Sequence, residues 1–273
     1  MQILCTLVIR NEQDYVPYFG RRCQELRASK THDYKFIAFT GDNKDKTLEK
    51  LKTVPYLYIE EKNRDGEFNK KNTEQRLAII REEVLERSRM EQFDYMLILD
   101  SDIFFNVGMI EHLISISEKN SLDVLTPFSI RFPLFRHYDD HAYEKLSGEV
   151  KEGIEEVESN FSGMALLSKK IVMDKNVTYR GDEGCEHKIY FRSAKENGYK
   201  VHATHSIKPI YGNNKSLGSY SYPLINKIIE YSGDNSNYTL FLVYLILSIL
   251  ILYSTYRFFF TYSTNSSGSS TLI

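Results

Sequence analysis

Short apolar runs alternate with amphipathic stretches along most of the chain. Ile3 to Ile9, Tyr34 to Thr40 and Tyr56 to Ile59 are runs bounded by polar turns, the pattern of buried strands. Tyr15 to Ala28 and Thr47 to Lys52 lie between them and read as helices. Asn72 opens a longer helix to about Met90. Gln75 stands three residues on, as in a capping box, and Leu77, Ile80, Val84 and Leu85 share one face. Met96 to Leu99 is the next strand, followed by a helix from Met109 to Lys119 and a strand from Asp123 to Thr126. Gly163 to Leu167 is strand-like, Glu186 to Asn197 is a helix stopped by Gly198, and Tyr199 to Thr204 is a last strand. Strands alternating with helices predict an α/β fold with a mostly parallel sheet flanked by helices. Residues 129–160 are mixed and charged, and read as an insertion over one rim.

The pattern changes near the C-terminus. Residues 216–237 are polar and rich in Ser, Asn and Tyr, and read as a linker. Thr239 to Tyr253, "TLFLVYLILSILILY", carries no charge, and the uncharged run continues to Arg257. That length is close to the roughly 20 residues that span a bilayer core. Tyr238 and Tyr244 near one end, and Tyr253, Tyr256, Arg257 and Tyr262 near the other, resemble interfacial anchors. The expected organisation is a domain over 1–215, a linker over 216–237, a transmembrane helix over 238–262 and a polar tail over 263–273. The N-terminus lacks a basic region before its apolar run, so no signal peptide is expected and the domain is placed in the cytosol, tethered to the membrane from its C-terminal side.

Composition narrows the classes. At 273 residues the chain can bury a sizeable core, and its net charge of −2 offers no basic field for nucleic acid. The three cysteines, Cys5, Cys23 and Cys185, form no C-x-x-C pair, so neither a structural zinc site nor a disulfide scaffold is expected.

One stretch carries most of the chemistry. "FDYMLILDSDIFFN" runs from an apolar strand straight into Asp100 and Asp102. Ligands of open α/β sheets bind outside the carboxyl ends of strands, and strand alternation predicts both carboxylates on one side, with Ser101 turned away. Two close carboxylates repel unless a cation joins them, and oxygen ligands suit Mg²⁺ or Mn²⁺. Such a cation neutralises a diphosphate leaving group.

This stretch resembles the D-x-D segment of GT-A glycosyltransferases, which use nucleotide-sugar donors. "CTLVIRNE" resembles the first strand and its nucleotide-contacting loop, and "FIAFTGDNKDKTLEKL" the second-strand segment. "FSGMALLSKKI" resembles the acceptor-side strand, and "EGCEHKIYFRSAKENGYKVHATHSIKPIYG" the late carboxylate, helix and strand. The likeness covers about residues 1–213 in order and is nearest in flavour to mannosyltransferase-like and viral or fungal capsule-type members. It implies a GT-A fold and a hexosyl- or pentosyltransferase that takes a nucleotide-diphosphate sugar and a glycan or glycoprotein acceptor. It places Arg10, Asn11, Glu12, Asp42, Asn43, Asp100 and Ser101 at the nucleotide and Mn²⁺ or Mg²⁺ on Asp100 and Asp102, completed by His205. It makes Glu186, beside Asp182, Glu183 and His187, the general base. Arg76 stands in the first turn of its helix, a misplacement against the macrodipole that a bound anion would explain; Arg81 shares that helix.

Plainer readings stand beside these. The loops after the first two strands serve equally as polar βα connections, Glu186 as a helix-start acid, and His202 and His205 as surface residues; His137 and His141 read as polar loop residues. Two other functions remain open: a phosphohydrolase of the haloacid dehalogenase type, which also ends a strand in D-x-D, and a non-catalytic membrane-tethered glycan-binding module. The former expects its motif in the first strand, followed two residues after the second Asp by Thr or Val, where Phe104 stands here.

Overall fold

The computed structural model describes residues 1–64, 66, 68, 71–132, 136–137, 141–146, 153–181, 184–212 and 221–231. Its first part is a run of βα units: β1 (Gln2–Val8), α1 (Val16–Ser29), β2 (Asp33–Thr40), α2 (Thr47–Leu51), β3 (Leu57–Glu61), α3 (Thr73–Ser88) and β4 (Tyr95–Asp100). A short β5 (Ile103–Phe104) and α4 (Val107–Asn120) lead to β6 (Val124–Pro127). Then come β7 (Ile130–Arg131), β8 (Arg136–His137), β9 (Glu144–Lys145), β10 (Ile154–Ser159) and β11 (Met164–Ser168). The last elements are α5 (Lys169–Met173), α6 (Glu186–Glu196), β12 (Val201–Thr204), β13 (Ile210–Tyr211) and α7 (Tyr222–Tyr231).

Among the described residues the main sheet has nine strands in the order β3-β2-β1-β4-β11-β6-β12-β10-β9. β1 to β4 are parallel, as the βα alternation predicts. Beyond β4 the sheet is mixed: β11 is antiparallel to both β4 and β6, β12 is parallel to β6, and β10 is antiparallel to β12 and β9. The expectation of a mostly parallel sheet therefore holds for one half only. A second, four-stranded sheet runs β5-β13-β7-β8.

Local chemistry accounts for the boundaries. Asn72 and Gln75 form the expected capping box at the start of α3. β4 is buried on four successive residues from Met96 to Leu99, as a central strand covered on both faces should be. The described residues of the supposed insertion include four strands, β7 to β10. Ile154–Ser159 alternates between half-buried and buried positions and is a full strand of the main sheet. Its glutamates hide that pattern, because Glu155 occupies a buried position normally held by an apolar residue.

The linker reading is overturned over residues 221–231. α7 is amphipathic, buries Ile225, Ile228 and Ile229, and docks on the domain. Arg22 donates to Asn226 at 2.7 Å and Asn106 to the Ile229 carbonyl at 3.1 Å. The described residues all fall in one compact unit, Met1–Ser236. The expected transmembrane helix lies outside the described residues, among which no helix is long and apolar enough to cross a membrane.

Candidate active site

β4 delivers the paired carboxylates to the carboxyl edge of the sheet. The Asp100 amide donates to the Gly163 carbonyl at 2.9 Å, and the Asp102 carbonyl accepts from Gly212 at 2.8 Å. Gly163 has φ +73°, and a Cβ there would sit 2.3 Å from the Ile103 side chain, so glycine is required on both counts. The strand ends at Asp100, and residues 101–102 form a turn. Strand alternation therefore does not govern the pair, and the two carboxylates have different neighbours. Asp100 pairs with Arg81 Nη2 at 2.5 Å. The charge of Asp102, which is 9% exposed, bears instead on Tyr15 and Tyr222: burial raises both phenols first, and Asp102 adds to it, after Glu12 in the case of Tyr222. Ser101 is half-buried between them.

Arg81 ties this turn to α6. Its guanidinium is 4% exposed, lies 3.6 Å from Glu186 Oε1 and sits 4.8 Å from the Phe161 ring centroid. One buried cation thus faces two carboxylates. Burial pushes the Glu186 carboxyl above its ordinary range, while Arg81 pulls it back. Burial drives His187 far down, so it is neutral; it stacks on Phe161 at 3.5 Å, with Nε2 3.3 Å from Glu186 Oε1. Asp182 and Glu183 lie outside the described residues.

A cavity of about 300 Å³ opens at the carboxyl ends of β1, β2 and β3, lined by Arg10, Phe39, Asp42, Arg64, Phe68 and Glu83 among others. Two of the predicted nucleotide residues, Arg10 and Asp42, line it. Three others hold the loops. The Asn11 amide donates to Asn43 Oδ1 at 3.0 Å, and the Lys44 amide returns a bond to Asn11 Oδ1 at 2.7 Å. Glu12 accepts from the Tyr222 hydroxyl at 3.3 Å. Asp42 itself accepts from the Arg64 amide at 3.0 Å. Arg76 folds back onto the Lys71 carbonyl at 2.8 Å, so a backbone acceptor satisfies it, and it does not line the cavity.

The structure does not bring His205 to the D-x-D turn. It follows β12, three strands from β4, which is about 14 Å at the usual strand spacing. Its Nε2 lies 3.2 Å from Glu155 and its ring stacks on Phe128. The chain beside Asp102 is Tyr211–Gly212, because β13 pairs with β5. Among the described residues no three His, Cys, Asp or Glu side chains form a metal cage. That donor set still suits Mg²⁺ or Mn²⁺, which commonly take one or two carboxylates and leave the remaining positions to substrate phosphates and water. His202 has its imidazole pushed down by burial. His137 lies against Ser162 at 3.1 Å and His141 against Glu74 at 3.1 Å.

Sequence reasoning weighed Arg81 only as a weaker companion to Arg76 in binding an anion, and missed Arg64, Gly163 and Tyr222. A buried helical arginine between two candidate carboxylates has no linear signature. The signal for Tyr222 was the apolar spacing of Ile225, Ile228 and Ile229, masked by polar flanks.

No family model and no curated protein sequence matches the chain. Solved structures do. A chain comprising residues 1–349 of S. aureus TarS aligns over 87% of this chain and 74% of its own, with 12% identity and a TM-score of 0.55. The same TarS fragment in complex with UDP-GlcNAc aligns over 81% of this chain and 61% of its own, with 13% identity and a TM-score of 0.55. The mannosyltransferase PcManGT from Pyrobaculum calidifontis, in complex with GDP-Man and Mn²⁺, aligns over 82% of this chain and 60% of its own, with 10% identity and a TM-score of 0.52. At such identities the likeness is one of architecture: the chain has the GT-A-like fold of nucleotide-sugar transferases.

Proposed function

We propose that the chain is a glycosyltransferase that moves a hexosyl or pentosyl group from a nucleoside-diphosphate sugar to a glycan or glycoprotein acceptor. The observation that carries this reading is the position of the Asp100–Asp102 turn. It lies on the carboxyl edge of the sheet, with the β1–β3 cavity on one side. On the other is Glu186 of α6, the helix that packs on β10 and β12, joined to the turn through Arg81 of α3. A substrate spanning that edge would place its nucleoside at the cavity, its diphosphate at the turn and its sugar towards Glu186. The solved structures with UDP-GlcNAc and with GDP-Man and Mn²⁺ support a donor of this class.

Each residue then has a task. Arg10 at the cavity offers a cation to the nucleoside and its phosphates, and Arg64, paired with Glu83 and lying over Phe68, shapes the cavity wall. Asp102, with Asp100, would hold Mn²⁺ or Mg²⁺, which supplies charge neutralisation for the departing diphosphate. Glu186 takes the proton of the acceptor hydroxyl as the new bond forms between that oxygen and the anomeric carbon. The bond from the anomeric carbon to the phosphate oxygen breaks, and the nucleoside diphosphate leaves with the electron pair. Glu186's raised pKa keeps its carboxylate a stronger base than an exposed glutamate. Arg81 holds Asp100 and Glu186 in register.

A haloacid dehalogenase-type reading is weaker, because the motif closes the fourth strand here and not the first. We place the domain on the cytosolic side of a membrane, held by the uncharged C-terminal stretch. Calorimetry with a panel of UDP- and GDP-sugars, with and without Mn²⁺, tests the donor assignment. Mn²⁺-dependent binding that Asp102→Asn abolishes supports it, and binding indifferent to both metal and substitution refutes it.

A further inference from the structure

His205, removed from the metal site by its position, stands at the centre of another cluster. Its ring stacks on Phe128 at 4.0 Å and 14°, and its side chain remains 43% exposed. Phe128 covers one face of the ring, and the exposure lies in what remains of the side chain. Glu155 fixes the ring from the side: it is 4% exposed, lies 3.2 Å from His205 Nε2 and accepts from the Tyr143 hydroxyl at 3.1 Å. Tyr143 packs edge-on against Phe128 at 5.4 Å. Its hydroxyl is pushed up to about 12, by burial first and then by Glu155. An exposed histidine is rarely held on two sides in this way. Long or flexible side chains normally keep their rotamer freedom at a surface, and immobilising them costs entropy.

The cluster lies on the same carboxyl edge as Asp100. β6 and β12 run parallel to each other, and β11 between β4 and β6 is antiparallel to both, so Phe128 and His205 leave the sheet on the side where Asp100 does. Phe128 follows β6, two strands or about 10 Å from β4. The edge between is polar. Ser129 donates to the Ser162 carbonyl, His137 reaches the Ser162 hydroxyl at 3.1 Å, and Gly163 accepts from Asp100.

We infer that His205 and Tyr143, fixed by Glu155 against Phe128, form a stacking subsite for a sugar ring of the acceptor, lying beyond the ring that receives the transferred sugar. A pyranose presents a face of C–H groups that suits the negative face of an aromatic ring, and its hydroxyls find acceptors at the ring edge. The separation from Asp100 leaves room for the reacting sugar between the two. The inference rests on the glycosyltransferase reading and names its acceptor as a glycan of at least two residues.

The test is glycan binding by the full chain, without donor, on an array of mono- to tetrasaccharides, with two variants chosen to separate stacking from hydrogen bonding. His205→Gln keeps a donor for Glu155 but removes the ring. His205→Tyr keeps a ring. The expected result is retention of oligosaccharides by the parent, a loss of about tenfold or more in His205→Gln, and near-parental binding in His205→Tyr. Nucleotide-sugar binding should be the same in all three. Tyr143→Leu should show the same glycan loss and serves if a His205 variant fails to fold. No retained glycan in the parent, parental binding in His205→Gln, or equal loss in both His205 variants overturns the subsite. Glycan binding that depends on His205 in a chain that binds no nucleotide sugar upholds the subsite and refutes the transferase reading instead.

Discussion

The two halves of the carboxyl edge are held by different forces. On the β1–β3 side, loops are tied by side-chain-to-backbone hydrogen bonds, Asn11 to Asn43 and Lys44 and Asp42 to Asn63 and Arg64, and by ion pairs, Arg87 with Glu60, and Lys62 and Arg64 sharing Glu83. Asn11 and Asp42 both adopt positive φ, 55° and 51°, which Asn and Asp tolerate better than most residues. On the other side, a buried arginine stands between two carboxylates, with a neutral histidine and an aromatic ring around it. Loop hydrogen bonds and partly exposed ion pairs preorganise a surface for recognition at modest cost. Buried charge shifts proton affinities and suits a site for chemistry. Substitutions on the first side should therefore act mainly on donor KM, and those on the second on kcat.

The largest expected effect is that of Asp102→Asn, which should abolish transfer and metal-dependent donor binding while leaving the fold intact by circular dichroism. Next is Glu186→Gln, expected to keep donor binding and to lose about 10²–10⁴-fold in transfer rate. Because burial raises the Glu186 pKa, the base is protonated at acidic pH. The parent's rate should rise with pH through a limb lying above the ordinary carboxylate range, and the variant should lack that limb. Retention of the donor's anomeric configuration in the product would remove the base role.

Arg81→Met comes third. It leaves two carboxylates without their cation, and breaking a buried pair costs about 3–5 kcal/mol in denaturant unfolding. The sign of its pH dependence is fixed. Without Arg81 the folded-state pKa of Glu186 rises further, so the stability this group contributes is present below its unfolded pKa and is lost as pH rises through the folded one. The variant should be most impaired in alkaline buffer. Asn43→Ala has the smallest effect. Losing the acceptor for Asn11 should cost about 1 kcal/mol and raise donor KM with kcat unchanged. A fall in kcat with unchanged KM would erase the contrast between the halves.

The same contrast marks what could be read from the sequence. The parallel half follows local rules: apolar runs, a capping box and polar turns set β1 to β4 and α1 to α3 within a few residues. The mixed half depends on long-range pairing. β10 was hidden because Glu155 takes a core position through partners 12 and 50 residues away, Tyr143 and His205. α7 was hidden because its apolar face is matched by α1 and β5, distant in sequence. Of the candidate site, the D-x-D turn was singled out by residue type and context, and Glu186 by the resemblance to GT-A enzymes. The bridging role of Arg81 and the displacement of His205 were not, since both follow from strand order.

The most direct measurement is the release of nucleoside diphosphate from a panel of nucleotide sugars, by the full chain with Mn²⁺ and a glycan acceptor mixture, with the product followed by mass spectrometry. The account predicts that at least one donor is consumed, that the acceptor gains one sugar mass per diphosphate released, and that Asp102→Asn abolishes both. A panel left untouched, or diphosphate release that persists undiminished in Asp102→Asn, would contradict it.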